Sequence, residues 1–401
     1  MNPDSTSRIW VLFIFIFIFS CKKSSVEPDP PAPAVPALTV NDVSQPRASV
    51  ATTLRFYITA NKTTSNSITF NYTLVNGTAT SPRDYAAASG TLTIAPNQTQ
   101  AYVDVNIAAD PDNLRQPNLQ FTLQLSNPVN CTLARTSATG TLITEDGTYL
   151  PTGNTGYSTP ASYPGYSLVW SDEFSGSALN TSDWNQEVGN GTGGWGNNEL
   201  EYYTSSTKNT FVSSGNLVIE ARKEPISGFN YSSGRMTTQN KKEFKFGRID
   251  IRAKLPVGKG VWPALWMLGA NISSVGWPVC GEIDIMELIG TYPSRVYGTM
   301  HWKPVSGTNT SKGASYDISG DFSQQFHVFS IVWQQDIIKW YVDDQLFLTN
   351  TIADVTPANY PFNANQFFIF NVAVGGNWPG PPDANTVFPQ RMFVDYVRVF
   401  Q

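Results

Sequence analysis

Histidine and cysteine are scarce in this chain, two and three among 401 residues. Cys21 belongs to an N-terminal leader, and Cys131 and Cys280 fall in two different blocks of strand-like pattern, so a disulfide framework is excluded. Both internal cysteines read as buried thiols acting as small hydrophobes. Positive charge is not in excess either: Lys+Arg 26 against Asp+Glu 31 gives a formal net charge of -5. That balance leaves no electrostatic footprint for nucleic acid and favours a neutral partner. No long stretch keeps a 3.6-residue apolar period, which argues against a helical architecture. Long hydrophobic runs are absent but for residues 9–19, IWVLFIFIFIF, too short to span a bilayer as a mature helix and the right size for an export core.

At the end of that core stands Phe19-Ser20-Cys21, which resembles a bacterial lipobox. The resemblance implies cleavage after residue 20, lipid attachment at Cys21 and an exported chain anchored to a bacterial membrane, at the outer membrane or the cell surface. Residues 21–37 are rich in proline and read as an extended tether.

Aromatic residues, by contrast, are abundant: 13% of the chain, with 11 Trp. Most belong in cores, but a surplus is available to stack on flat apolar faces such as sugar rings. From 38 to 146 short alternating segments, Ser67–Tyr72 and Ala101–Ile107 among them, are separated by Gly, Pro and Asn turns, predicting a small β-sandwich. Asp84-Tyr85, Ser89–Ile94, Phe121–Pro128 and Gly140-Thr141-Leu142 make this block resemble a Calx-beta domain. The resemblance implies acidic calcium loops, yet the loop 110–118 is short of carboxylates and contains Arg115, so the block is expected to act as a spacer or weak adhesion module. Residues 147–165 read as a second linker. From 166 to 401 the strands return, including Gly215–Arg222, Gly247–Ala253, Val328–Trp333 and Phe367–Val374. The expected fold is therefore all-β: a jelly-roll sandwich of the concanavalin A-like kind, whose curved sheet forms a groove, preceded by a smaller β-sandwich.

The segment Gly281-Glu282-Ile283-Asp284-Ile285-Met286-Glu287-Leu288 alternates acids with apolar residues. In a flat strand Glu282 and Asp284 share one face, while Glu287, an odd number of residues beyond Glu282, takes the other. All three converge only if one residue between Asp284 and Glu287 is bulged out. Like charges crowded on one strand face oppose folding unless chemistry is gained. Retaining glycosidases need such a pair, ~5–5.5 Å apart, one carboxylate to attack the anomeric carbon and one acid to protonate the leaving oxygen. Neighbouring anions raise the pKa of the acid and keep it protonated.

This segment resembles the catalytic signature of glycoside hydrolase family 16 in its bulged form. Trp170–Phe174, Gly193–Thr204, Val261–Gly269, Gly298–Trp302 and Gly375–Gly380 extend the similarity to its laminarinase branch. The resemblance implies endo cleavage of β-1,3-glucan, with Glu282 as nucleophile, Asp284 as its assistant and Glu287 as acid/base. It also places Trp266 and Trp277 against sugars beside the cleavage point and His301 close to the acid/base. Trp195, Trp262 and Trp378 are further candidates for the groove, and Asn198 and Arg235 are candidate hydrogen-bond donors to glucose hydroxyls. His327 is assigned to the core. No cofactor is required for the chemistry, and a monomer is expected.

Asp395 poses a separate problem. By alternation it shares a face with Phe393, Val397 and Val399, where a bare carboxylate needs a partner. An arginine or backbone N–H would serve; similarity to family members implies instead a structural calcium held by Asp395, Glu173 and the backbone of Gly215. Mixed-linkage β-1,3-1,4-glucanase, an agarase- or carrageenase-type relative, transglycosylation, and a glucan-binding protein without catalysis are the alternatives. Retention of both glutamates argues against the last.

Overall fold

A computed structural model describes residues 35–355 and 359–401. Cys21 and the export core lie outside the described residues.

The N-terminal block is a sandwich. One sheet orders Gln100–Ile107, Thr52–Ala60, Ala37–Val40 and Thr132–Leu133; the other orders Val43–Pro46, Ser137–Ile143, Leu119–Val129, Ile68–Asn76 and Ser89–Ile94. Strict alternation drives it: in Thr52–Ala60, Leu54, Phe56 and Ile58 face the core, while Thr53, Arg55 and Tyr57 face solvent. Cys131 is buried and free, as is Cys280.

The second block stacks two large antiparallel sheets. The inner one orders Asn185–Gln186, Arg235–Thr237, Gln366–Val374, Val261–Gly269, Glu282–Leu288, Arg295–Trp302 and Thr310–Asp317. The outer one orders Thr210–Ser213, Asn216–Ala221, Gln390–Phe400, Gly247–Lys254, His327–Gln334, Ile337–Val342 and Gln345–Thr351, with Leu168–Asp172 also paired to Gln390–Phe400. Between them lies one core that includes Ile251, Leu265, Met286, Trp333, Trp340, Phe370 and Val397. His327 is buried against Phe322 and bonded to Asp343, as the core assignment expects.

Residues 147–165, read as a linker, are a strap packed on the catalytic block. Leu150 N–H donates to Ser213 Oγ (2.8 Å), Gly156 bridges to Phe326, Thr159 meets the Tyr396 hydroxyl (2.8 Å), and the Tyr163 hydroxyl donates to Asp250 (2.7 Å). The N-terminal sandwich is fastened as well. Arg115 donates to the carbonyls of Lys208 and Thr207 (2.9 Å each) and pairs with Glu220 at 3.1 Å, both side chains fully buried. The arginine that sets loop 110–118 apart from a calcium loop thus anchors one domain to the other.

Asp395 does not join the core. Opposite it the register slips: Arg252 pairs with Tyr396 and Ala253 with Val394, so Asp395 is the extra residue of a bulge. The bulge resets the alternation, sending Val397 and Val399 inward and leaving Asp395 partly exposed beside Arg252 (2.8 Å). Both oxygens of Glu173 are taken by Arg398 (2.8 and 2.7 Å). Both Glu173 oxygens and Asp395 Oδ2 thus go to guanidinium groups, and arginine is the partner Asp395 required.

Candidate active site

The bulge demanded by the acid spacing is present. Trp266 pairs with Asp284 and Leu265 with Met286, leaving Ile285 without a partner; on the other side, Asp284 opposes Thr299 and Glu287 opposes Tyr297. Three residues on one strand therefore span what two span on its neighbour, and Glu287 turns to the face of Glu282 and Asp284. The extra residue stays because Ile285 and Met286 are both buried in the core. The outer sheet props the distortion from behind: Trp340 Nε1 donates to the Asp284 carbonyl (2.8 Å). Gly298 allows that approach, since a Cβ there would lie 2.6 Å from the Trp340 ring.

Six neighbouring strands send alternate side chains to this face. Arg235 and Thr237, Ile369 and Asn371, Trp262, Trp266 and Leu268, the three acids, Thr299 and His301, and Ser311, with Asn309 just before its strand, line a cleft of about 690 Å³. Trp195, Trp277 and Trp378 close it from loops. Asn198 is not among the lining residues. The irregular turn Gly194–Asn198 leaves it exposed and bonded to Asn377 (2.9 Å), and its neighbour Asn197 takes the place on the cleft wall. Glu187, Glu199 and Asn371 also line the cleft although the motifs did not single them out. Asn371 had a signal, being a lone amide within the apolar run Phe367–Val374.

Each acid has a distinct neighbour. Trp277 Nε1 donates to Glu282 Oε2 (2.8 Å), and Trp262 Nε1 donates to Glu287 Oε1 (3.0 Å). His301 Nε2 lies 3.2 Å from Asp284 Oδ2 and 3.8 Å from Glu282 Oε1. The Asp284 contact is close but not aligned as a hydrogen bond, and Oδ2 has no other donor. Arg235 is sandwiched between Trp195 (4.2 Å) and Trp266 (4.9 Å) and pinned by Glu187 (2.5 Å). Burial and then the charge of Asp284 push Glu282 up to about 8, against the pull of His301, Trp277 and Arg235. Burial likewise lifts Asp284 to about 8. Glu287 is driven well above the carboxylate range by burial and by both other acids. The three acids crowd one face, so their protons belong to the group. Glu282 has the most help in ionising and Glu287 the most reason to keep its proton.

Glu282, Asp284 and His301 also bring one ligand atom each within 4.8 Å of one another, the kind of spacing a metal ion uses. Paired acids in a tryptophan-lined cleft are accounted for by acid–base chemistry on a neutral polymer, so no ion is invoked.

A sheet face with clustered carboxyls and aromatic walls is the construction of a polysaccharide-cleaving hydrolase. Residues 197–398 match the family model "Glycosyl hydrolases family 16", and residues 39–147 match the Calx-beta domain. The chain belongs to glycosyl hydrolase family 16. It is 43% identical over 270 residues to glucan endo-1,3-beta-glucosidase A1 of Niallia circulans, covering 61% of this chain and 39% of that protein. Beta-glucanase of Rhodothermus marinus is 42% identical, covering 59% of this chain and 86% of that protein. Among solved structures, the laminarinase catalytic domain of Thermotoga maritima MSB8 has a TM-score of 0.56 and 51% identity, over 59% of this chain and 98% of that one.

Proposed function

We propose that the chain is a retaining endo-β-1,3-glucanase acting on laminarin-type glucans. The bulged strand carries the reading, because it is what puts Glu282, Asp284 and Glu287 on one wall of a tryptophan-lined cleft. Glu282 attacks the anomeric carbon while Glu287 protonates the departing glycosidic oxygen; in the second half, Glu287 takes a proton from the water that releases the glycosyl group. The Trp277 N–H orients the attacking carboxylate and favours its charge. The Trp262 N–H occupies Glu287 Oε1, which leaves Oε2 to carry the transferred proton. Asp284, almost enclosed, shares the cluster's negative charge with Glu282, and that charge beside Glu287 keeps the acid protonated until the leaving oxygen arrives.

The relatives include a glucan endo-1,3-beta-glucosidase and an endo-1,3-1,4-beta-glycanase. Product sizes from laminarin, curdlan, lichenan and agarose separate the substrates. Laminarin and curdlan should yield short oligosaccharides early in the reaction, and agarose none. Faster release from lichenan than from laminarin would move the assignment to mixed-linkage glucan. Proton NMR of the first product tests stereochemistry: a β anomer is expected, and an α anomer overturns Glu282 as nucleophile. Export and anchoring through Cys21 belong to the same proposal, and Cys21→Ser should abolish partition into detergent.

A further inference from the structure

Behind the cleft wall a chain of polar groups runs inward from Trp266. Its Nε1 donates to Asn371 Oδ1 (2.8 Å), Asn371 Nδ2 donates to the Tyr203 hydroxyl (3.1 Å), and that hydroxyl donates to Glu199 Oε2 (3.2 Å). Every donor points the same way. The direction is forced, because an indole can only donate and an ionised carboxylate can only accept. Glu199 Oε1 takes a further donor, Asn197 Nδ2, at 3.3 Å.

Glu201 lies next to Glu199. It is fully buried; its Oε2 accepts the Val374 N–H (2.6 Å), and its Oε1 has no donor. An enclosed carboxylate oxygen with no donor is costly, and a second carboxylate beside it makes the cost worse. One proton removes both difficulties: carried on Glu201 Oε1 and donated to Glu199, it fills the orphan position and leaves a single charge. Burial and the neighbouring Glu199 indeed drive the Glu201 carboxyl well above its ordinary range, and burial keeps the Tyr203 hydroxyl protonated.

We propose that Glu199 and Glu201 share one proton, and that this pair, acting through Tyr203 and Asn371, fixes the orientation of Trp266 for sugar binding. The four are positioning residues, and the claim rests on Trp266 meeting glucan as proposed above. On its other side Trp266 faces the Arg235 guanidinium, so the ring is held edge and face. The device explains two acids set close together away from the strand of Glu282, Asp284 and Glu287: only a pair with one proton gives the chain an acceptor end without burying two charges.

The test compares wild type with Glu201→Gln, Glu201→Ala and Tyr203→Phe on laminarin. A glutamine at 201 can donate to Glu199 and accept from Val374 without titrating, so it should keep KM within about two-fold. The alanine and Tyr203→Phe variants should raise KM by about five-fold or more, with kcat changed less, the size expected for one lost hydrogen bond. Melting curves identify any variant that fails to fold, and Tyr203→Phe carries the comparison if the alanine does. A Glu201→Gln variant as impaired as Tyr203→Phe overturns the proposal, as does an unchanged KM in Tyr203→Phe. Difference infrared spectra of wild type and Glu201→Gln at neutral pH give a readout independent of substrate. A neutral-carboxyl C=O stretch should be lost in the variant, and a difference spectrum without that loss overturns the shared proton. Wild type that leaves laminarin intact while showing that stretch would instead refute the glucanase reading.

Discussion

The two sheets of the catalytic block treat buried carboxylates in opposite ways. On the outer sheet each is met by cations or hydroxyls. Glu220 receives Arg391 (2.6 Å), Arg222 (2.7 Å) and Arg115 (3.1 Å), while Asp250 receives Arg248 (2.8 Å), Ser330 (2.7 Å) and Tyr163 (2.7 Å). On the inner sheet Glu282, Asp284 and Glu287 face one another with two indole N–H groups and one imidazole. The outer acids hold the block and its neighbour together. The inner acids are left short of partners, which works against stability and is what makes them able to pass protons.

The largest expected effect strips that inner chemistry. Glu282→Gln and Glu287→Gln should each reduce kcat on laminarin by at least ~10²-fold while binding survives. Near-normal turnover in either variant would falsify the assignment of roles. On the outer side, Arg115→Ala should lower unfolding stability by about 3 kcal/mol, the low end for breaking a buried pair, because Glu220 keeps two other arginines. Denaturant melts check it, and the cleft chemistry should change little.

Between the two sheets stands Trp340, whose N–H supports the bulge at the Asp284 carbonyl. Trp340→Phe leaves that buried carbonyl without its indole donor, at a cost of about 1–3 kcal/mol, with kcat falling more than KM changes. An unaltered kcat would show that the bulge holds without its prop.

The smallest effects concern pH. Glu282 lies near 8 in the folded protein against an ordinary 4.5, so between those values the native state holds protons the unfolded chain has lost. Stability therefore falls as pH rises through that window. Glu282→Gln should melt higher than wild type at about pH 8 and lose the advantage near about pH 4. Asp284→Asn removes a charge that raises Glu287, so the alkaline limb of kcat/KM should move to lower pH. A limb that stays in place would mean Asp284 does not tune the acid.

Much of the site was legible in local sequence because its logic is local. The odd spacing of Glu282 and Glu287 called for an extra residue within a single strand, and Ile285 is that residue. Tryptophans clustered near the acids could be placed in the cleft, and so could His301, which sits directly opposite Glu282. Asn198 was misplaced by one position, since the turn that holds it uses left-handed backbone at Trp195 and Asn198 and breaks any simple alternation.

Sequence by itself determined two blocks of strands, the identity of the three acids, the need for a bulge between them and the aromatic surplus that walls the cleft. Those features come from side-chain period and residue chemistry within a few neighbours. Tertiary structure alone decided the bulge at Asp395, the strap 147–165, the anchoring of Arg115 in the catalytic block, and the line from Glu201 to Trp266. Each depends on which strands pair and in what register, between residues as far apart as Arg115 and Glu220 or Tyr203 and Asn371. A one-residue slip in pairing turns every side chain to the opposite face, and only the assembled sheets choose the slip.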